Sequence, residues 1–158
     1  MSIGDTIYSG TVASAVSDAR DLDGIFLVAA AGNVPSAGED CDTIICYPAA
    51  YSDVIAVSGI NSDKSFAYPS TECASSGSVF GWWVEVTAPF DTETTKGSTS
   101  SSYDTYCGTS AASAFVTGVV ALMRDAAPHL SPFYLEQRLF STPEDLGPSG
   151  WDEEFGAG

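Results

Sequence analysis

Basic side chains are scarce in this chain of 158 residues. Lys and Arg together number 5 against 21 Asp and Glu, a formal net charge of −16 at pH 7. Such a surface repels phosphate backbones and anionic lipid, which sets nucleic acid and membranes aside as partners. Histidine occurs once, at His129, so the side chain most often used as a general base is nearly absent. No apolar run reaches the length needed to span a bilayer. Met1-Ser2-Ile3-Gly4-Asp5 lacks the basic region followed by an apolar stretch that marks a signal peptide. Neither Cys-x2-Cys nor paired histidines accompany Cys41, Cys46, Cys73 and Cys107, so zinc spacing is missing. Four cysteines allow three disulfide pairings.

What is present is globular. Hydrophobic residues make up 44% and charged residues 16%, enough for one domain with a core. Acidity with little lysine suits a secreted protein or one from a salty habitat. Val12, Ala15, Val16 and Ala19 fall at helical spacing and predict an amphipathic helix over Gly10–Arg20. Ile25–Ala31 is a short, wholly apolar run closed by Gly32-Asn33, the pattern of a buried parallel strand. Val54–Gly59 and Val84–Ala88 predict two more strands, and Phe90–Tyr106 a hairpin or long loop. Ser131-Pro132 reads as a helix start, with Leu135, Leu139 and Phe140 on the inner face. Helix, three strands and two helices predict an α/β sheet domain.

The densest signal is Gly108-Thr109-Ser110-Ala111-Ala112-Ser113-Ala114-Phe115-Val116-Thr117-Gly118-Val119-Val120-Ala121-Leu122-Met123. Gly108 allows a tight approach, Thr109 is the expected N-cap, and Ser110 then sits at the positive end of a helix dipole. A helix apolar on nearly all sides is expected to lie in the centre of the fold.

This stretch resembles the nucleophile segment of the subtilisin-like serine proteases, the subtilases (peptidase S8). Ala114 stands where the family usually has proline, and Ala111 where many members have methionine. Val28-Ala29-Ala30-Ala31-Gly32-Asn33 resembles the family's strand ending in Gly-Asn. Met1-Ser2-Ile3-Gly4 resembles its Ser-Leu-Gly segment, and Tyr47-Pro48-Ala49-Ala50-Tyr51 its Tyr-Pro-Ala-x-Tyr turn. Ala88-Pro89 resembles its Ala-Pro-Gly, with Phe90 in place of glycine, and Phe155-Gly156-Ala157-Gly158 the glycine-rich tail.

The resemblance implies a three-layer α/β/α fold with a mainly parallel sheet, of which residues 1–158 match about the last three-fifths. It implies Ser110 as nucleophile of a serine endopeptidase and Asn33 as oxyanion donor. Ser2, Ile3, Gly4, Ala30, Ala31 and Gly32 would flank a peptide bound as an added strand. The family's Asp and His precede the serine along the chain, and nothing before Ser2 carries them. His129 lies on the wrong side of Ser110 and reads as a solvent-facing helix-end residue. The N-terminal part is therefore expected to be missing, and this chain alone to be inactive, marginally stable or prone to aggregate. A dead domain that binds peptides or a protein partner is the alternative. An α/β-hydrolase reading is disfavoured, because no Gly-x-Ser-x-Gly surrounds Ser110.

The family fold also favours Cys73–Cys107, with Cys41–Cys46 closing the loop after Asn33. Cys41–Cys73 stays open as the rival. Disulfides fit secretion. No cofactor is expected for the chemistry. A structural calcium at the Ala49, Tyr51 and Val54 turn is expected from carbonyl ligands in some members. Glu39, Asp40 and Asp42 form an acidic loop that could attract basic substrate side chains.

Overall fold

The computed structural model describes residues 1–22, 24–34, 44–70, 73, 76–95 and 102–158. Three helices occur among them: α1 (Gly10–Asp21), α2 (Thr109–Ala126) and α3 (Pro132–Ser141). The strands are β1 (Val28–Ala30), β2 (Asn33–Val34), β3 (Ile55–Ile60), β4 (Gly77–Ser78), β5 (Val86–Pro89), β6 (Asp91–Thr95) and β7 (Tyr103–Cys107).

The central sheet is parallel, in the order β1-β3-β5. Val28 pairs with Ile55 and Ala30 with Val57; Val57 in turn pairs with Val86 and Ile60 with Pro89. Alternation along the strands splits the core in two, because successive side chains point to opposite faces. Val28, Ile55, Val57, Val86 and Ala88 face α2 and α3, packing on Ala112, Val116, Val120 and Leu139. Ala29, Ala31 and Ala56 face the other way, where α1 contributes Val16. The result is the expected α/β/α arrangement with a mainly parallel sheet.

Some boundaries differ from the sequence expectation. Within Ile25–Ala31 only Val28–Ala30 forms a strand. Ile25 is half exposed, and Leu27 offers its carbonyl to Ile55 N–H just before the ladder begins. Two two-residue strands, β2 and β4, pair antiparallel where loops were expected. The Phe90–Tyr106 stretch does form a hairpin, β6 against β7, with Asp91 opposite Cys107.

The central helix departs most. α2 lies across the sheet through Ala112, Val116 and Val120, and it continues unbroken through Ala114. Its opposite face is open: Phe115 is 44% exposed, Val119 46% and Leu122 72%. An all-apolar helix was expected to be covered on all sides; in this chain it is covered on one.

Candidate active site

Asn33 opens β2 immediately after the C-terminal end of β1, the end at which open α/β sheets carry their ligands. Gly108 and Thr109 bring the start of α2 to the same place. Gly108 is anchored through its N–H to the Phe90 carbonyl at 2.8 Å.

Thr109 was expected as the N-cap. Instead Gly108 takes that position and gives no side-chain cap. Thr109 is the first helical residue, fully buried, and its hydroxyl turns sideways to β1. It accepts from Gly32 N–H at 3.3 Å and lies 3.1 Å from both the Gly32 carbonyl and Asn33 Oδ1. The Thr109 backbone N–H donates to Asn33 Oδ1 at 2.9 Å. The helix is thus capped by a side chain from another element, meeting the same need for acceptors in the first turn.

That bond fixes the orientation of the Asn33 amide. A backbone N–H only donates, so the atom facing Thr109 is the oxygen, and Nδ2 has no partner among the described residues. Gly108 has φ +147°. A Cβ built on it would lie 3.6 Å from Asn33 Nδ2 and 3.8 Å from Ser110 N. Two donors therefore border the space left empty by one missing side chain, with Asn33 Oδ1, turned to Thr109, 3.7 Å from the same point. An anion entering that space finds a side-chain N–H, a backbone N–H and the positive end of an 18-residue helix.

Ser110 is half-buried, and its hydroxyl has no hydrogen-bond partner among the described residues. Its carbonyl accepts from Ser113 Oγ at 3.0 Å and from Ser2 Oγ at 3.3 Å. The Ala30 N–H donates to the Met1 carbonyl at 3.0 Å, which lays residues 1–4 beside β1. A cavity of about 290 Å³ gathers Ser2, Ile3, Gly4, Ala30, Gly32, Asn33 and Ser110. Ala31 does not join them, being fully buried on the α1 side of the sheet. Sequence reasoning missed Asp5, Thr6, Ile44 and Cys46, which line the same cavity. Only their nearness to the Ser-x-Gly and Tyr-Pro segments could have pointed to them.

His129 is exposed, three residues beyond the end of α2. The helix of 18 residues spans roughly 27 Å at 1.5 Å per residue, so His129 is remote from Ser110.

Cys73 and Cys107 form a disulfide with Cα atoms 5.6 Å apart. This bond holds the residue just before Gly108. The expected Cys41–Cys46 bridge is corrected: Cys46 is a buried free thiol. Burial, and after it the Asp5 charge, push its pKa up. The rival Cys41–Cys73 pairing falls because Cys73 is already bonded. Cys41 and the acidic loop of Glu39, Asp40 and Asp42 lie outside the described residues.

At the Ala49–Val54 turn, the Tyr51 carbonyl accepts from Val54 N–H at 3.1 Å. No group of three or more His, Cys, Asp or Glu that could hold a metal occurs among the described residues. A calcium there would depend on backbone carbonyls and water for most of its six to eight oxygens.

Comparison with known proteins agrees with this fold. The family model described as Peptidase_S8, subtilase family, matches residues 1–158. The chain is 38% identical over 149 residues to subtilisin DY of Bacillus licheniformis, covering 94% of this chain and 50% of that protein. It is 35% identical over 123 residues to halolysin of Haloferax mediterranei, covering 78% and 22%. In structure it is similar to the subtilisin-like protease Apa1 of Pseudoalteromonas sp. AS-11, with a TM-score of 0.77 at 16% identity. That match covers 100% of this chain and 66% of the other. The chain therefore spans half or less of the length of these curated relatives.

Proposed function

Because the chain belongs to the subtilase family, we propose that it supplies the nucleophile and oxyanion hole of a serine endopeptidase. Ser110 Oγ attacks the carbonyl carbon of a peptide bond. The carbonyl oxygen becomes an oxyanion in the space beside Gly108, held by Asn33 Nδ2–H and the Ser110 N–H. Collapse of that intermediate expels the amine and leaves an acyl group on Ser110, which water then removes. Each step moves a proton, and among the described residues no histidine stands near Ser110 and no side chain is hydrogen-bonded to its hydroxyl. The Asp and His implied by the resemblance would come from polypeptide preceding Ser2 in the whole protein. Without them Ser110 remains an unactivated alcohol.

The observation that carries this reading is the Asn33 Oδ1 to Thr109 N–H bond, because it turns Asn33 Nδ2 away from the helix start in a cavity that Ser110 also lines. Substrate would lie as an added strand between residues 2–4 and Ala30–Gly32. The uncovered face of α2, at Phe115, Val119 and Leu122, supports the same N-terminal part as its covering partner. Secretion is proposed from relatives such as the minor extracellular protease Epr of Bacillus subtilis. The carbonyls of Ala49, Tyr51 and Val54 are proposed calcium ligands, tested by melting in calcium against chelator.

The deciding experiment is fluorophosphonate labelling of the folded chain, read by intact mass and peptide mapping. The chain alone should remain unlabelled, and addition of a separately expressed N-terminal part should bring label onto Ser110. Label on Ser110 in the chain alone would show that a base is already at hand. Failure of the reconstituted protein to label would favour a peptide-binding domain without catalysis. That second reading rests on the unpartnered Ser110 hydroxyl and the remote His129. It predicts that Ser110→Ala leaves peptide binding intact.

A further inference from the structure

The start of α2 is held at three consecutive residues by groups from three different segments. Gly108 N–H donates to the Phe90 carbonyl at 2.8 Å, and Thr109 N–H donates to Asn33 Oδ1 at 2.9 Å. The third tie is on Ser110 itself, whose carbonyl accepts from Ser2 Oγ at 3.3 Å across 108 positions of sequence. A helix end has few hydrogen bonds of its own and is the part most prone to fray. Ties from outside the helix therefore decide where Ser110 stands.

The Ser110 carbonyl is bound twice. Ser113, 1% exposed, donates its hydroxyl to it at 3.0 Å from one turn further along α2. The Ser2 and Ser113 hydroxyl oxygens stand 3.5 Å apart. Ser113 alone would be the ordinary local bond of a helical serine to the carbonyl of the preceding turn. Thr117 repeats that pattern, donating to the Ser113 carbonyl at 2.7 Å. Ser2 is different, because it belongs to no helix. It lies in segment 1–4, which Ala30 N–H ties to β1 through the Met1 carbonyl at 3.0 Å. Ser2 also lines both cavities that meet at Ser110. One, of about 290 Å³, holds Asn33; the other, of about 870 Å³, runs along the open face of α2 past Phe115 and Val119. Its hydroxyl links the wall of the groove to the peptide unit that carries Ser110.

We propose that Ser2 and Ser113 are positioning residues for Ser110: their hydroxyls jointly hold its carbonyl, Ser2 from the groove wall and Ser113 from the helix, and so set the direction of Ser110 Oγ toward the oxyanion space. The proposal rests on the reading of Ser110 as nucleophile. Both hydroxyls act through Ser110 and neither moves a proton. Pinning the carbonyl fixes the rotation of the peptide plane after Ser110, and with it the backbone from which the side chain departs. Reacting groups misplaced by about 1 Å lose about a hundredfold in rate, so a loosened Ser110 loses about tenfold.

Two measurements test it. In the full chain, with serine carbonyls and alanine nitrogens isotopically labelled, NMR reads the Ser110 carbonyl through its bond to Ala111. Loss of a hydroxyl donor should move that resonance upfield in Ser2→Ala, with the melting temperature unchanged because Ser2 is exposed. In protein reconstituted with the proposed N-terminal part, hydrolysis of a chromogenic peptide amide gives kcat and KM. Ser2→Ala should lower kcat by about tenfold at unchanged KM, since an added strand is bound by the backbone of the wall. Ser2→Thr, which keeps a hydroxyl, should recover most of that loss. Ser2→Ala and Ser113→Ala together should cost less than the product of the two, because both hydroxyls act on one carbonyl. With an active wild type, an undiminished kcat in Ser2→Ala, an effect confined to KM, a Ser2→Thr as slow as Ser2→Ala, or an unmoved Ser110 resonance would overturn the proposal and leave Ser110 as nucleophile. A reconstituted wild type that neither hydrolyses peptide nor takes up label would remove the nucleophile reading, and this proposal with it.

Discussion

The side-chain oxygen of Asn33 accepts the backbone N–H of Thr109 at 2.9 Å. One residue thereby locks the start of α2 to the start of β2, just beyond β1, and its amide nitrogen has no partner among the described residues. The structural role and the proposed chemical role belong to opposite ends of the same amide, so they can be separated by substitution.

Asn33→Asp keeps an acceptor for Thr109 and removes the donor; Asn33→Ala removes both. In protein reconstituted with the proposed N-terminal part, each should lower turnover by about 10²–10³, the magnitude for removal of an oxyanion-hole donor in subtilisin. Melting curves of the chain alone should distinguish them. Asn33→Ala should cost about 1 kcal/mol through the lost bond, and Asn33→Asp less. Equal turnover in the wild type and both variants would remove Asn33 from the oxyanion hole.

Gly108→Ala places a methyl group in the space bordered by the Asn33 amide and Ser110 N, at a residue with φ +147°. Backbone strain of this kind costs about 1–3 kcal/mol. The expected result is a lowered melting temperature together with loss of fluorophosphonate labelling in the reconstituted protein. Labelling at the wild-type rate would mean that the oxyanion lies elsewhere.

Reducing the Cys73–Cys107 bond frees a loop of 34 residues in sequence separation. The chain-entropy relation for a loop of this length gives a loss of about 4 kcal/mol. Cys73→Ser should reproduce the melt of the reduced wild type. A variant that melts with the oxidised protein would show that the bond adds no stability.

The pH dependence has a definite sign. Burial first, and then the Glu136 charge, push the Glu85 pKa up to about 7 in the folded chain, from an ordinary value of 4.5. The folded state binds more protons across that window, so stability falls as pH rises from about 4.5 through 7 and levels off above. The loss is on the order of 3 kcal/mol. Glu85→Gln should flatten this limb of the stability curve, read from chemical denaturation at pH 5, 6, 7 and 8. A curve of unchanged slope would count against it.

The open face of α2 should bind a hydrophobic dye and promote self-association, since Phe115, Val119 and Leu122 form one stripe at helical spacing. Leu122→Lys should lower dye binding and aggregation with little change in the melting temperature. Light scattering and dye fluorescence provide the check.

The sequence made the three parallel strands legible because buried strands are unbroken apolar runs, and Ile55–Val57 lie at 0% exposure as such a run predicts. It placed Asn33 and Ser110 together only through resemblance, since nothing local in Gly-Asn distinguishes an oxyanion donor from a strand-end turn. Thr109 was misjudged as an N-cap because local preference favours its own helix, whereas a long-range acceptor on Asn33 won. The apolar pattern of α2 also misled. Composition reports that a face needs burial, and Phe115 and Leu122 need it as much as Val116 does, but it does not say which polypeptide supplies the cover. The tie between Ser2 and Ser110 left no motif at all, being made across 108 positions of sequence.

The packing of β1 against α2 carries a last consequence. Val28 of the strand and Ala112 of the helix lie in one buried cluster, and Ala112 contributes a single methyl group. In the proposed function that methyl acts as a calliper between the strand that leads to Asn33 and the helix that starts at Ser110. A reaction that loses about a hundredfold for a displacement near 1 Å would then be gauged by hydrocarbon volume in the core. Widening Ala112 to valine should detune the proposed chemistry while leaving every polar atom of the site in place.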